Sequence, residues 1–225
     1  GDTPEDSYLK HLRAFVEQDM ASYGLLVGRL PDDDIARVAE YLARHDVAFL
    51  VQHTFLPVKG GLPSAGYYSP ATYARLQEIA GEKFLGVHWG EADSVGLKPE
   101  DYLSSPLKKS YTRKDVKDAF TGFLTTSLQD FRARFPGVRT AHSSAVLSHW
   151  IFAEAGVDML CSEIGENIPC INMMIASNRG SARAYQKPWM IDHSTWWAPR
   201  GHAGELVSPR EGHTPWCMFT SLLEA

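Results

Sequence analysis

Three carboxylates stand directly after hydrophobic runs, where parallel strands commonly present catalytic groups. Glu91 ends the run FLGVHWGE, Glu163 follows VDMLCS, and Asp192 ends PWMID. A carboxyl group lodged against a ring such as Trp89 loses solvation, which raises its pKa toward the range that a general acid needs. For Glu91, a solvated position in a loop is an equal alternative. Because glycoside hydrolysis uses a carboxylate pair as acid and as base or nucleophile, two of the three are predicted to be catalytic, and which two is open.

The same predicted strand ends carry imidazole, indole and amide groups that suit a sugar. Trp196 and Trp197 are adjacent, and successive side chains of an extended segment face opposite ways, so at least one ring should be exposed as a stacking platform. Glu166 and Asn167 could bind a ligand or cap the next helix. The predicted substrate-binding residues are His53, His88, Trp89, His142, Glu166, Asn167, His193, Trp196 and Trp197.

Two other functions compete with a glycosidase. Four histidines at four strand ends could hold zinc or a similar ion for a metal-dependent hydrolase, namely His53, His88, His142 and His193. The sequence has no His-x-His on a strand and no His-Glu-x-x-His helix, the motifs that would support a metal site. The third possibility is a carbohydrate-binding barrel without catalysis. The leading prediction requires no metal and no cofactor.

Strand-like and helix-like segments alternate along the chain. Apolar runs between turn signals predict six strands, at 24–30, 47–53, 83–88, 138–142, 157–162 and 188–192. Apolar residues at three- and four-residue spacings, with capping and stop signals, predict helices at 7–20, 33–44, 70–80, 114–135, 148–155, 172–185 and 215–225. Such alternation requires a parallel sheet, because each crossover returns the chain to the same end of the sheet.

The predicted fold class is α/β, as a (β/α)₈ TIM-type barrel over a single domain, residues 1–225. A barrel is favoured over a doubly wound sheet because no glycine-rich turn follows the first strand and polar residues end nearly every strand. The chain contains six or seven strand-helix units, and the simplest expectation is a missing first strand before Gly1 and a missing eighth after Ala225. Either the chain is a fragment, or the barrel is incomplete or is completed by another chain. In that numbering, Glu91 ends strand four and Asp192 strand seven.

A carboxylate pair on strands four and seven resembles the arrangement of retaining glycoside hydrolases of the large (β/α)₈ clan. The Asn-Glu pair usual at strand four is absent here, where Gly90 precedes Glu91. The segment SEIGENIPCINMMIASNRGSARAYQKPWMIDHSTWW, about a sixth of the chain, also resembles the carboxyl half of uncharacterised bacterial glycosidase-like barrels, in which an Arg-Gly-x-Ala-Arg helix leads into a Lys-Pro-Trp strand. These resemblances imply a bacterial enzyme of carbohydrate metabolism.

Composition and charge exclude several classes of partner. The net charge of -5 comes from interspersed charges, so we expect no nucleic-acid or membrane surface. No apolar run reaches the roughly 18 residues of a membrane span, and the three cysteines have no regular spacing. The predicted partner is an oligosaccharide or polysaccharide substrate, and the oligomeric state is open. The compartment is open too: the chain is expected to be soluble, and a removed leader peptide would place it in the periplasm or outside the cell.

Overall fold

A computed structural model describes residues 9–10, 12–13, 16–17, 23–27, 30–52, 67–90, 111–144, 146–165 and 170–194. Six strands run through this part, β1 (Tyr23–Val27), β2 (Ala48–Gln52), β3 (Phe84–His88), β4 (Thr140–Ser144), β5 (Met159–Gly165) and β6 (Trp189–Ser194). Five helices separate them in strict alternation, α1 (Asp32–Arg44), α2 (Pro70–Ala80), α3 (Arg113–Arg134), α4 (His149–Ala155) and α5 (Ile171–Tyr185), and a 3₁₀ turn, Gly81–Lys83, follows α2.

The strands form one parallel sheet whose spatial order, β1-β2-β3-β4-β5-β6, is their order along the chain. A doubly wound sheet would reverse direction at a switch point, whereas a barrel adds each strand beside the previous one. The sheet is also curled, because the Tyr23 hydroxyl on edge strand β1 donates a hydrogen bond to the Ile191 carbonyl on the opposite edge strand, β6. The described chain is therefore an incomplete TIM-type barrel, which confirms the predicted fold class.

Local sequence signals explain where the helices begin. Helix α2 starts at Pro70 after Ser69, whose side chain accepts a hydrogen bond from the Thr72 backbone amide, and proline is favoured at the first helical position. Helix α3 begins with a capping box in which Thr112 and Asp115 satisfy each other's backbone amides. These caps satisfy donors that each first turn leaves free, so the helices begin where the sequence predicts.

The two faces of the sheet bury different side chains. The outer face packs against the helices in the main core, which includes Phe49, Val51 and Phe84. The inner face holds a smaller cluster at the amino-terminal half of the strands, formed by Leu50, Ala141 and Met159 with Leu25, Leu85 and Met190. Side chains alternate between the faces along each strand, so these two clusters fix which side chains point into the barrel.

A β-bulge in β3 changes that alternation. Phe49 pairs with Phe84, but the next residue of β2, Leu50, pairs with Gly86, so β3 carries one extra residue. Gly86 has φ +121°, and a Cβ atom there would lie 2.2 Å from the Arg139 carbonyl oxygen, so glycine is required. After the bulge Val87 belongs to the outer core, which turns His88 inward.

The predicted bounds differ at the carboxyl ends of several strands, and two of these differences affect the candidate site. Ladder pairing continues through Ser144 on β4 and Gly165 on β5, beyond the predicted ends at 142 and 162, so Glu163 lies within its strand. The predicted first helix is helical at residues 9–10, 12–13 and 16, and its Leu9, Leu12 and Val16 pack on the main core. The predicted helix 215–225 lies outside the described residues, and the single domain stays a prediction. Among the described helices, none combines the length and hydrophobicity that crossing a bilayer requires.

Candidate active site

Two of the three predicted catalytic carboxylates are neighbours across the ladder between β5 and β6. Glu163 pairs directly with Asp192. Both face inward, because Met159 and Met190 on the same strands lie in the inner cluster and are separated from them by an even number of residues. Only 4% of Glu163 is exposed, and Asp192 is partly buried. Since neighbouring strands lie about 4.8 Å apart, the two carboxyl groups share one small volume.

This proximity changes the acidity of the pair. Burial raises the pKa of Asp192 to about 7, and the nearby negative charge of Glu163 contributes to the rise. Two carboxylates that share a site cannot both ionise easily, so one retains its proton to a higher pH. Near neutral pH the pair therefore offers a proton donor beside a second carboxylate, which is the division that acid–base chemistry needs.

Tyr23 and Cys161 lie on the same inner face, on the amino-terminal side of the pair. Burial raises the pKa of Tyr23, and the nearby Cys161 and Asp192 add to the rise. Burial also raises the pKa of the Cys161 thiol, with Asp192 as the next cause. Both groups are therefore neutral at physiological pH, and both lie close enough to Asp192 to interact with it. Sequence reasoning missed both, although Tyr23 alternates with the inner Leu25 and Cys161 stands two residues before Glu163.

His88 lies on the same inner face at the end of β3. It pairs with Ala141 of the inner cluster, and its Nδ1 lies 3.0 Å from the side-chain amide of Gln52 on β2. Burial lowers the pKa of His88 to about 3, and His142 adds to the decrease. The imidazole is therefore neutral at physiological pH. Gln52 is a further residue of this inner face that the sequence prediction did not include.

The structure corrects two predicted substrate-binding residues. Trp89 is 0% exposed and lies edge-on to Phe131 of α3, with ring centroids 5.8 Å apart. His142 stacks on Phe152 of α4 at 3.3 Å between ring centroids. Both alternate with inward residues, His88 and Ala141, so strand geometry turns them to the helix side. Neither ring can serve as a sugar platform there.

Other predicted site residues cannot be placed. Glu91, His53, Glu166, Asn167, Trp196 and Trp197 lie outside the described residues, and of His193 the structure gives the backbone, which pairs with Ile164. Their roles stay predictions.

The histidines do not converge in the part of the chain that the structure describes. His88 faces the barrel interior and His142 faces α4, so these two cannot bind the same ion. Within the described ranges, no group of three or more His, Cys, Asp and Glu side chains is arranged to hold a metal.

Comparison with solved structures gives distant likenesses. No family model and no curated protein matches the sequence. A crystal structure of a mandelate racemase/muconate lactonizing enzyme-like protein from Rubrobacter xylanophilus is similar over 99% of this chain, with 16% sequence identity and a TM-score of 0.46. This chain spans about half of that protein, 48% of its length. At this level the likeness carries no argument about function.

Proposed function

We propose that this protein hydrolyses glycosidic bonds with Glu163 and Asp192 as its pair of catalytic carboxylates. One observation carries the proposal: the two residues are direct cross-strand neighbours on the inner face, and the pKa of Asp192 is raised to about 7. Glycosidases need two carboxyl groups in different protonation states on either side of the bond to be cleaved. The proposed substrate is an oligosaccharide or polysaccharide.

The two residues take different roles in this proposal. Asp192 keeps its proton near neutral pH and donates it to the glycosidic oxygen as the bond from the anomeric carbon to that oxygen breaks. Glu163 supplies the negative charge that raises the pKa of Asp192. It therefore acts as the nucleophile that attacks the anomeric carbon, or as the base that takes a proton from the attacking water.

Strand spacing favours the nucleophilic role of Glu163. Retaining enzymes hold their carboxyl groups about 5–5.5 Å apart, whereas inverting enzymes leave roughly 6.5–9.5 Å for a water molecule. Direct partners on strands about 4.8 Å apart are closer to the first arrangement. We therefore expect hydrolysis with retention of the anomeric configuration, observed by NMR of the first-formed sugar.

Two substitutions test the proposal against a panel of 4-nitrophenyl glycosides. Glu163→Gln and Asp192→Asn should each lower kcat by about 10²–10⁴-fold, because each removes an acid–base or nucleophilic group. Glu40→Gln and Asp130→Asn make the same chemical changes on exposed positions of α1 and α3 and should keep wild-type rates.

Azide separates the two roles. In a variant without its nucleophile, azide can attack the anomeric carbon, so it should restore turnover to Glu163→Ala and yield a glycosyl azide. Wild-type rates in both Glu163→Gln and Asp192→Asn, or no hydrolysis of any panel substrate by the wild type, would contradict the proposed function.

A further inference from the structure

His88 is a buried side chain of the inner face with no role in the proton transfers proposed above. It is 2% exposed and lies at the carboxyl end of β3. Because barrel strands are staggered, the inward residues near their carboxyl ends line one mouth. In the described strands this inward set includes Gln52, His88, Ser143, Glu163 and Asp192.

The hydrogen bonds at Nδ1 decide which ring nitrogen carries the proton. The Gly90 backbone N–H donates to Nδ1 over 3.1 Å. A backbone amide can only donate, so Nδ1 offers its lone pair and the proton of the neutral ring lies on Nε2. The Gln52 side-chain Oε1 lies 3.0 Å from the same nitrogen. Two acceptors cannot bond to each other, so this tautomer requires the Gln52 amide to be turned with its NH₂ group toward the ring, as amide oxygen and nitrogen are assigned from such networks.

The protonated nitrogen has nothing to donate to. Nε2 is buried and has no hydrogen-bond partner among the residues that the structure describes. Buried donors without a partner are rare in native proteins because each has given up its bond to water. At the mouth of a candidate active site, an unpartnered donor is therefore best explained by a ligand that accepts its hydrogen bond when bound.

We propose that the Nε2–H of His88 donates a hydrogen bond to a hydroxyl oxygen of the bound sugar, making His88 a specificity-determining residue. This inference rests on the proposed function. The ring remains neutral at working pH because burial, with His142 nearby, lowers its pKa to about 3. His88 therefore binds and orients the sugar and does not transfer protons.

The test compares glycosides with analogues that lack one ring hydroxyl. A site with a buried donor discriminates strongly against a substrate without the matching group, because the donor is then left unpaired. The wild type should lose about 100-fold in kcat/KM on one monodeoxy analogue of its best 4-nitrophenyl glycoside. His88→Leu should lose about 100-fold on the parent glycoside and hydrolyse parent and analogue at similar rates. His88→Gln, which keeps an N–H near Nε2, should stay within about tenfold of wild type.

The pH dependence and a control variant separate this role from proton transfer and from misfolding. The limb of the pH–rate profile that belongs to Asp192 should not move in His88→Gln. His45→Leu changes an exposed histidine after α1 and should retain full activity, and circular dichroism checks that each variant folds. The inference fails if the loss in kcat/KM from parent glycoside to deoxy analogue is the same in His88→Leu as in the wild type for every analogue.

Failure of this inference differs from failure of the proposed function. If Glu163→Gln and Asp192→Asn lose activity but His88→Leu does not, only the role of His88 is wrong. If the wild type hydrolyses no glycoside, ¹⁵N NMR of the His88 ring still decides its tautomer. A proton on Nδ1 would overturn the inference.

Discussion

The two faces of β5 use buried polar groups in opposite ways. On the outer face, the Ser162 hydroxyl donates to the Met174 carbonyl over 3.2 Å and lies 3.0 Å from His149 Nε2. His149 Nδ1 in turn lies 3.1 Å from the Ser177 hydroxyl. This outer cluster, Ser162, His149 and Ser177, ties α4 and α5 to the strand. One residue further on, Glu163 faces inward beside the carboxyl group of Asp192.

The difference shows that burial of a histidine or a carboxylate does not by itself indicate function. Both ring nitrogens of His149 contact hydroxyls of the outer cluster, so its partners lie within the fold. On the inner face, Asp192 has a raised pKa and His88 Nε2 lacks a described partner. Groups that the fold leaves with an electrostatic cost are the better candidates for acting on a ligand.

The largest expected effect is a pH dependence of stability that arises from Asp192. Between about pH 4 and pH 7 the folded chain holds a proton that the unfolded chain has released, so the free energy of unfolding falls as pH rises. The fall amounts to at most about 4 kcal/mol and ends above pH 7. Asp192→Asn should remove this pH dependence. In urea unfolding from pH 4 to pH 8, the free energy of unfolding of the variant should rise relative to that of the wild type up to about pH 7 and then keep a constant difference.

A control for this effect is Glu163→Gln, which removes a charge that raises the pKa of Asp192. In this variant the free energy of unfolding should stop falling at a lower pH than it does in the wild type. A difference between wild type and Asp192→Asn that stays constant from pH 4 to pH 8 would refute the raised pKa.

A smaller effect is expected from His149 in the outer cluster. His149→Leu keeps the volume but deprives the Ser162 and Ser177 hydroxyls of their ring partner, which should cost about 1–3 kcal/mol in urea unfolding. Adding Ser177→Ala should recover part of that loss in a double-mutant cycle, because it removes one of the hydroxyls that lost its hydrogen-bond partner. The folded variant should keep its activity. An inactive but equally stable His149→Leu would show that the two faces are not separate in function.

The smallest effect is expected at the contact between the edge strands. Tyr23→Phe removes the hydrogen bond to the Ile191 carbonyl and should lower the free energy of unfolding by about 1 kcal/mol. Water should then reach Cys161, which is buried in the wild type, while Cys170 is exposed. In a background with Cys170→Ser and Cys217→Ser, thiol labelling of Cys161 should be several-fold faster than without the Tyr23 change. Equal labelling rates would mean that Tyr23 does not close the inner face.

The sequence predicted the order and type of the described strands and helices because capping signals and apolar runs are local. Pro70 and the pair Thr112 and Asp115 show this most clearly. The presence of Glu163 and Asp192 near one mouth was predicted as well, since parallel strands bring their carboxyl ends together. Their direct pairing was not predicted, because it depends on the register between β5 and β6.

The direction of the side chains could not be predicted. Strands β4 and β5 are buried on both faces along most of their length, so no alternation of apolar and polar residues marks an inner side. His142 was therefore expected in the mouth although it stacks on Phe152. Tyr23 was missed for another reason: its partner, Ile191, is 168 residues away, and only the curl of the sheet brings them together.

One extra residue in β3 decides whether the interior receives a hydrogen-bond donor or a hydrocarbon. If residues 84–88 alternated regularly with no bulge, Val87 would turn inward and His88 toward the helices. The strand would keep nearly the same composition and hydrophobicity, yet its chemistry would move to the opposite side of the sheet. The direction of His88 therefore depends on the bulge that Gly86 permits and not on the composition of the strand.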